Sequence, residues 1–175
     1  MDIFVAEREG EDKIYNPLNL DNQRLLWHGS GFSNYGGILS QGLRIAPPEA
    51  PVSGYRFGKG VYFADQFSLS QCYCRAYQSN GVGVLLLCQV ALGSQMKSTG
   101  DCNIHSKFPN PKYHSTLGDS GAVPDPKCDI VKKVKMNGKE QTYTVPCGKV
   151  SGGASQFIVY NTNQIKMRYV IRVKI

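Results

Sequence analysis

The sequence lacks an apolar run long enough to cross a membrane. Its longest apolar stretch, residues 82–92, is interrupted by Gly83 and Gln89, and it falls short of the roughly 20 residues that a spanning helix needs. Residues 1–8 also lack the basic and apolar parts of a secretory signal. We therefore expect an intracellular protein with no membrane partner.

The common phosphate-binding loops and metal motifs are absent as well. The sequence has no Gly-x4-Gly-Lys-Ser/Thr loop and no Gly-x-Gly-x-x-Gly after a strand. Its six cysteines include no Cys-x-x-Cys pair. Cys102, His105, His114 and Cys128 have the side chains that zinc prefers. Because they are spread over a polar stretch, we expect no metal and six free thiols.

Repeats, heptads and low-complexity tracts are also missing, and the remaining composition is that of one globular domain over residues 1–175. The chain has 41% hydrophobic residues, and 20 Lys and Arg against 13 Asp and Glu give a formal charge of +7. A chain of this length buries enough surface for a core of its own. The densest positive charge flanks Asn137-Gly138, and it comprises Lys132, Lys133, Lys135 and Lys139. Such a basic hairpin is typical of a solvated surface, and the charge alone does not identify nucleic acid as a partner.

Short apolar runs predict strands at residues 3–6, 24–28, 61–64, 84–90 and 157–160. The almost continuous apolar character of residues 84–90 indicates a central strand that is covered on both faces. Residues 131–136 and 141–145 flank Asn137-Gly138, which is a strong hairpin signal. Residues 165–175 alternate and predict a half-buried strand. Its apolar face would hold Ile165, Met167, Tyr169, Ile171, Val173 and Ile175.

Helices are predicted to be few and short. Ser33 is a candidate N-cap for a helix that ends near Gly42, and Asp65 for a helix that runs through Ala76. Prolines and glycines over residues 46–60 predict a long loop, and residues 93–128 are expected to be mostly irregular. Strands dominate and do not alternate with long helices, so the predicted class is α+β rather than a doubly wound parallel sheet.

Three segments combine polar and aromatic residues where strands end: Leu26-Trp27-His28-Gly29-Ser30, residues 57–65 and residues 68–73. Each segment is weak evidence by itself. A lone histidine at a strand end is more often a structural residue, and Gly58-Lys59-Gly60 could be an ordinary turn. Their order and spacing along one chain are more informative.

With these segments in this order, the chain closely resembles the catalytic domain of the poly(ADP-ribose) polymerases, most of all the nuclear members that respond to DNA damage. The resemblance covers residues 3–175 and is strongest at residues 24–30, 38–51, 58–65, 90–93 and 157–160. Residues 94–150 match loosely, mainly through Pro124-Asp125-Pro126. The resemblance implies a diphtheria-toxin-like ADP-ribosyltransferase fold with mainly antiparallel strands in two sheets. It also implies a reaction in which NAD+ is the substrate, nicotinamide is released and ADP-ribose is transferred to an acceptor.

The resemblance also assigns roles to individual residues. His28 is expected to hold the adenosine ribose hydroxyls, and the Gly29 backbone and the Ser70 hydroxyl to hold the nicotinamide amide. Tyr73 should stack on the pyridinium ring and Tyr62 should flank it, since aromatic faces attract cations. The remaining NAD+-binding candidates are Ser30, Asn34, Arg44, Tyr55, Phe63 and Ala64.

Two positions depart from the polymerase pattern. Gln156 stands where polymerases have a catalytic glutamate, and Leu69 stands where close relatives have a lysine. An amide keeps the hydrogen bond of the glutamate but loses its negative charge beside the developing cation. We therefore expect impaired chain elongation. Three interpretations stay open: a natural mono-ADP-ribosyltransferase, an NAD+-binding pseudoenzyme, or a polymerase inactivated by an engineered Glu-to-Gln change.

The resemblance favours a monomeric nuclear protein whose acceptor is protein, at Glu, Asp or Ser side chains, and it leaves nucleic acid open as an acceptor or activator. Residues 1–175 include no regulatory helical domain and no DNA-binding module, so NAD+ should reach the site without DNA. The rival functions are a module that binds NAD+ or ADP-ribose without turnover and a nucleic-acid-binding protein.

Overall fold

The structure, a computed structural model, describes residues 1–15, 20–50, 55–98, 109–121, 123–136, 138–148 and 153–175. The strands of these ranges are β1 (Asp2–Val5), β2 (Gln23–Gly29), β3 (Val61–Ala64), β4 (Val82–Ala91), β5 (Gln95–Ser98), β6 (Ser115–Gly118), β7 (Ile130–Met136), β8 (Lys139–Val145), β9 (Gln156–Val159) and β10 (Ile165–Lys174). The α-helices are α1 (Glu11–Ile14), α2 (Tyr35–Gln41) and α3 (Phe67–Gln71). Short 3-10 turns occupy Phe32–Asn34, Cys72–Cys74, Ala76–Gln78, Pro126–Cys128 and Thr162–Gln164. Within these ranges, every helix is too short or too polar to traverse a lipid bilayer.

The ten strands of the described ranges form one connected sheet, in which eight strands follow the order β1-β10-β4-β2-β3-β9-β6-β5 and the pair β7 and β8 branches from β2. Most neighbours are antiparallel, and the parallel pairs are β5 with β6 and β2 with β8. Within this order, β2 and β3 are joined by a single residue pair, Trp27 with Ala64. This narrow joint divides the connected sheet into two parts, which correspond to the two predicted sheets. The hairpin of β7 and β8 attaches to β2 through the pairing of Arg24 with Thr144. The predicted α+β class with few short helices is confirmed.

Strand β4 is the centre of the core, as its apolar sequence predicts. It pairs with β10 on one side and β2 on the other. Leu86, Cys88 and Val90 are fully buried and pack with residues of β2, β9 and β10 in the main apolar cluster. The long apolar run therefore reflects a strand covered on both faces.

The alternation predicted for β10 is wrong beyond Met167. The register pairs Met167 with Cys88 but Tyr169 with Leu87, which places a β-bulge at Arg168. The extra residue moves Tyr169 to the face opposite Met167, and Val170 packs against the core instead. A bulge leaves no mark on the period of two that the sequence displays.

The helix predictions also need correction. Ser33 lies inside the 3-10 turn, and Asn34, which precedes α2, makes no side-chain cap. Asp65 does not cap α3, because the residue before this helix is Gln66. The helix ends at Gln71 and does not continue to Ala76 as predicted. Arg75 interrupts the helical path with a left-handed backbone, at φ of 49°. The predicted irregular region contains strands β5 and β6. These strands are four residues long and gain their stability from pairing rather than from apolar periodicity.

A polar cluster lies beneath the bulge of β10. The Gln89 side chain is 0% exposed; its Nε2 donates to Gln23 Oε1 at 2.6 Å, and its Oε1 accepts from Arg168 Nε at 2.9 Å. The Tyr15 hydroxyl donates to the same Gln23 oxygen at 3.2 Å. The bulge thus brings the Arg168 guanidinium to the one polar side chain of the central strand.

We expect Gln89→Leu to lower the free energy of unfolding by about 1–3 kcal/mol, because it removes the partner of two half-buried polar side chains, Gln23 and Arg168. Urea unfolding with a circular-dichroism readout measures the effect. Leu85→Met is a control on the same buried strand, and its cost should stay below about 1.5 kcal/mol because it conserves volume. Equal costs for the two variants would contradict a structural role for the polar cluster.

Candidate functional site

One cavity of about 690 Å³ lies at the ends of β2 and β3, between α2 and α3. The structure brings all twelve residues singled out from the sequence to its wall. These are His28, Gly29, Ser30, Asn34, Arg44, Tyr55, Tyr62, Phe63, Ala64, Ser70, Tyr73 and Gln156. They come from six separate segments of the chain, so their convergence is a property of the fold. Leu69, the second departure from the polymerase pattern, lies on the same wall.

His28 is held in one orientation by a bond between strands. Its Nδ1 lies 2.8 Å from the backbone carbonyl oxygen of Tyr62. Because a carbonyl oxygen only accepts, Nδ1 carries the proton and Nε2 of the neutral ring is an acceptor. Burial lowers the pKa of the imidazole, and the carbonyl of Tyr62 partly opposes this shift. The cavity therefore holds a neutral histidine with a fixed tautomer.

Position 29 must be glycine because β2 and α3 approach each other closely there. A Cβ atom at Gly29 would lie 1.9 Å from the backbone carbonyl oxygen of Ser70, which no side chain tolerates. The backbone of Gly29 and the buried side chain of Ser70 thus face the cavity as one compact polar unit. Such a pair of backbone and hydroxyl groups suits a planar amide, which has both a donor and an acceptor.

Two tyrosines supply aromatic surface to the cavity wall. The Tyr62 hydroxyl accepts from Phe57 N at 2.9 Å and donates to Gly58 O at 2.8 Å. Burial raises the pKa of this phenol, so it stays protonated. Tyr73 lies at the rim with its side chain 55% exposed, which leaves the ring free to cover a bound ligand.

Polar side chains that follow β2 and flank α2 also line the cavity. Asn34 Nδ2 donates to Ser30 Oγ at 2.9 Å, and Arg44 contributes a cation. Several wall residues near α2 are not among the predicted site residues, namely Ser33, Ile38, Gln41 and Leu43. Asn34, Ile38 and Gln41 are spaced by four and three positions. That helical spacing is a signal that could have identified the face of α2 in advance.

Gln156 begins β9 and lies between two neighbouring strands, paired with Ala64 of β3 and Gly118 of β6. Next to it in sequence, Ser155 is fully buried. Asp65 follows Ala64 and is 5% exposed. Burial raises the pKa of Asp65 to about 6, although the nearby backbone N–H groups of Asp65 and Ser155 and the charge of Arg24 lower it.

The loop over residues 46–60 is tied together by Lys59. Its ammonium group donates to the backbone oxygens of Pro47, Pro48 and Ala50, at 2.5 to 2.7 Å. Three acceptors match the three N–H bonds of an ammonium group. Tyr160 fixes the same loop at another point, because its hydroxyl donates to Phe57 O at 2.7 Å. These anchors hold Tyr55 at the cavity wall. The predicted loop is irregular where it is described, and residues 51–54 lie outside the described ranges.

The alternative zinc site is only partly described, because Cys102 and His105 lie outside the described residues. His114 Nδ1 accepts from the backbone N of Ser94 at 3.2 Å, and Cys128 is an exposed free thiol. In the ranges given above, no three His, Cys, Asp or Glu side chains gather as a metal site would require. The other described cysteines, Cys72, Cys74, Cys88 and Cys147, are also free.

Comparison with known proteins agrees with the resemblance. Residues 1–175 match the family model of the poly(ADP-ribose) polymerase catalytic domain. The chain is 44% identical to poly [ADP-ribose] polymerase 1 of Danio rerio, over 99% of this chain and 17% of that protein. It is 46% identical to poly [ADP-ribose] polymerase 2 of Arabidopsis thaliana, over 98% of this chain and 27% of that protein. The chain thus spans less than a third of either relative.

We expect Lys59→Met to loosen the loop while the sheet stays intact. Removing three hydrogen bonds to partly exposed carbonyls should cost about 1–2 kcal/mol of stability. Proteolytic cleavage within residues 46–60 should speed up severalfold, and limited proteolysis with mass spectrometry measures it. Lys59→Arg keeps the charge but presents a planar fork that cannot meet three carbonyls in this way, so it should be intermediate. Unchanged cleavage in Lys59→Met would contradict the role of this ammonium group.

Asp65 should make stability depend on pH. Its pKa is about 6 in the folded chain against an ordinary value of 3.8, so folding favours the protonated form. The carboxyl therefore destabilises the fold progressively as pH rises from about 4 to about 6. Asp65→Asn should be more stable than the parent by about 2–3 kcal/mol above pH 6, and equal to it below pH 4. Urea unfolding across this range measures the difference, and a difference that is constant with pH would refute the assignment.

Proposed function

This chain belongs to the poly(ADP-ribose) polymerase catalytic domain family, and on that premise we propose that it cleaves the nicotinamide–ribose bond of NAD+ and transfers ADP-ribose to an acceptor. One observation carries the proposal. The neutral His28, the Gly29–Ser70 unit, the two tyrosines and Arg44 line a single cavity. This arrangement suits a long ligand with an aromatic amide at one end and a nucleotide at the other.

The nicotinamide end is assigned to Gly29, Ser70 and Tyr73. The Gly29 backbone and the Ser70 hydroxyl would orient the carboxamide, since the close approach at Gly29 fixes both groups relative to each other. Tyr73, which is exposed at the rim, would stack on the pyridinium ring, and Tyr62 would flank it. Aromatic faces attract a delocalised cation, so this end favours the charged, oxidised nicotinamide.

The adenosine end is assigned to His28, Ser30, Asn34 and Arg44. His28 Nε2 is an acceptor because Nδ1 is committed to Tyr62 O, so it would accept a hydrogen bond from a ribose hydroxyl. Arg44 supplies a positive charge at the same cavity wall for the phosphates. Tyr55, Phe63 and Ala64 complete the wall and position the ligand by contact.

Bond cleavage leaves positive charge on the ribose, as in the oxocarbenium-like transition states of glycoside hydrolysis. Gln156 would accept a hydrogen bond from a ribose hydroxyl without supplying the negative charge of a glutamate. In comparable sites the loss of one preorganised electrostatic group costs about 10²–10³ in rate. We therefore assign single-unit transfer rather than chain elongation to this chain. A pseudoenzyme that binds NAD+ and a polymerase disabled by an engineered Glu-to-Gln change are the alternatives.

The remaining assignments are coarser. We propose a protein acceptor, modified at Glu, Asp or Ser side chains, and a nuclear location, both on the similarity to the named polymerases. Catalysis requires no metal in this proposal, because the pyridinium is itself a good leaving group once oriented. Nucleic acid stays an alternative acceptor or activator, and salt dependence of binding tests it, since phosphate contacts weaken steeply with salt.

The decisive experiment compares this chain with Gln156→Glu on labelled NAD+. The parent should release nicotinamide slowly and attach single ADP-ribose units. Gln156→Glu should accelerate release by about 10²–10³ and yield polymer, because it restores the negative charge. Product length is read on a denaturing gel and nicotinamide by chromatography.

Two binding variants serve as controls for the site. His28→Ala and Tyr73→Ala should bind NAD+ more weakly than the parent in calorimetry, and unchanged affinity would refute the site assignment. A silent parent whose Gln156→Glu variant makes polymer identifies a disabled polymerase. Silence from both proteins, with NAD+ still bound, identifies the pseudoenzyme.

A further inference from the structure

The hairpin of β7 and β8 presents a sheet edge that the candidate site does not use. In the part of the chain that is described, β7 pairs with β8 only, and its other side has no partner strand. The register closes the hairpin at Met136 and Lys139 across a two-residue loop, so this pair is hydrogen-bonded and the pairs alternate from there. The N–H and C=O groups of Val131, Lys133 and Lys135 therefore point away from β8.

This edge carries an excess of positive charge. Residues 130–145 contain four lysines and one glutamate, a net charge of +3 out of +7 for the chain. Glu140 is paired with Lys133 at 3.0 Å. Among the described residues, no carboxylate lies within ion-pair distance of Lys132, Lys135 or Lys139. Three ammonium groups thus remain to attract an anionic partner.

Apolar side chains accompany the lysines. Ile130 is 46% exposed and Val131 is 62% exposed. Lysines on an edge strand also deter unwanted strand pairing. That role does not explain two neighbouring exposed branched side chains, which instead give a docked strand apolar surface to cover.

The composition of the hairpin favours a peptide over a nucleic acid. Residues 130–145 contain no arginine, and their single aromatic residue, Tyr143, is buried. Base stacking and bidentate phosphate recognition need exposed aromatics and arginine. Free backbone groups beside lysine and valine instead fit an extended chain that adds a strand to the sheet.

We propose that the free edge of β7 docks an extended, acidic segment of the acceptor protein as an added β-strand. Main-chain hydrogen bonds from Val131, Lys133 and Lys135 hold the segment, and its carboxylates lie beside the free lysines. The base of this hairpin touches β2 at Arg24, whose guanidinium lies 5.7 Å from the ring centre of Phe157, the neighbour of Gln156. Docking itself needs no catalysis, whereas its part in acceptor choice depends on the proposed transferase activity.

Docking is tested by fluorescence anisotropy without NAD+. The probe is a labelled peptide of alternating Glu and Val, about eight residues long, which is enough to pair along the seven residues of β7. The parent should bind it, and the K132E/K135E variant should weaken binding by at least about tenfold. K112E/K174E, which reverses two exposed lysines outside the hairpin, is the matched control and should change affinity by less than about twofold. Equal losses in the two variants would overturn the proposal in favour of general charge attraction.

Val131→Pro tests the backbone part of the proposal. It removes an outward N–H without removing a bond between β7 and β8, so peptide affinity should fall severalfold while the circular-dichroism spectrum and thermal midpoint stay close to those of the parent. If this variant unfolds, the parent protein is tested instead with a probe peptide that has proline at every second position. This peptide should not bind, because proline cannot donate a main-chain hydrogen bond. Tight binding of the proline peptide would overturn strand addition.

Two further measurements separate this proposal from its alternatives. A DNA oligonucleotide that competes with the peptide at equal concentration, and loses affinity in K132E/K135E, would overturn it in favour of a nucleic-acid surface. In the transfer assay, K132E/K135E should raise the KM for the acidic peptide. Hydrolysis of NAD+ without peptide, measured as nicotinamide release, should be unchanged. If the peptide binds but no sample releases nicotinamide, the transferase proposal is refuted and docking stands. If ADP-ribose is transferred to the peptide equally well by the parent and by K132E/K135E, docking is refuted.

Discussion

The cavity depends on how β2 and β3 meet. These strands share one paired position, Trp27 with Ala64, and the bond between His28 Nδ1 and Tyr62 O fastens them just beyond it. Strands joined along their whole length would leave no space between them. Because they are joined at one point, the sheet opens there and α2 and α3 enclose the opening. The same hydrogen bond fixes the histidine tautomer, so the junction shapes the cavity and sets its chemistry together.

The loop over residues 46–60 is held at this junction by polar anchors and by Phe57, which is buried against Ile158. Lys59 gathers three carbonyls of one turn, and the hydroxyls of Tyr62 and Tyr160 bind backbone groups of Phe57 and Gly58. Backbone groups in a loop rich in proline and glycine have few partners of their own kind. Side chains with several donors or acceptors replace the missing ladder, which explains how an irregular segment can hold Tyr55 at a fixed place on the wall.

Apolar patterning predicts the strands that form the core. It fails where strand pairing or backbone geometry determines which face a residue takes or where an element ends. The continuous run of β4 and the Asn137-Gly138 hairpin are visible in the sequence because burial and turn chemistry leave residue-level marks. The bulge at Arg168 and the left-handed Arg75 leave none, since each depends on contacts with distant segments. For the site, the resemblance located residues in six segments. The face of α2 that adds Ile38 and Gln41 to the wall was visible only in helical spacing.

The arrangement of the cavity separates ligand binding from turnover. The groups assigned to the two ends of NAD+ are fixed by backbone features: the close approach at Gly29, the tautomer of His28 and the anchored loop. None of these depends on the charge at position 156, because Gln156 is held in place by strand pairing with Ala64 and Gly118. A change from carboxylate to amide there alters the electrostatic stabilisation of the transition state and leaves the cavity wall in place. In the proposed function, affinity for NAD+ therefore rests mainly on groups other than the one that sets the rate of transfer, so glutamine at this position would leave the rest of the proposed binding site in place.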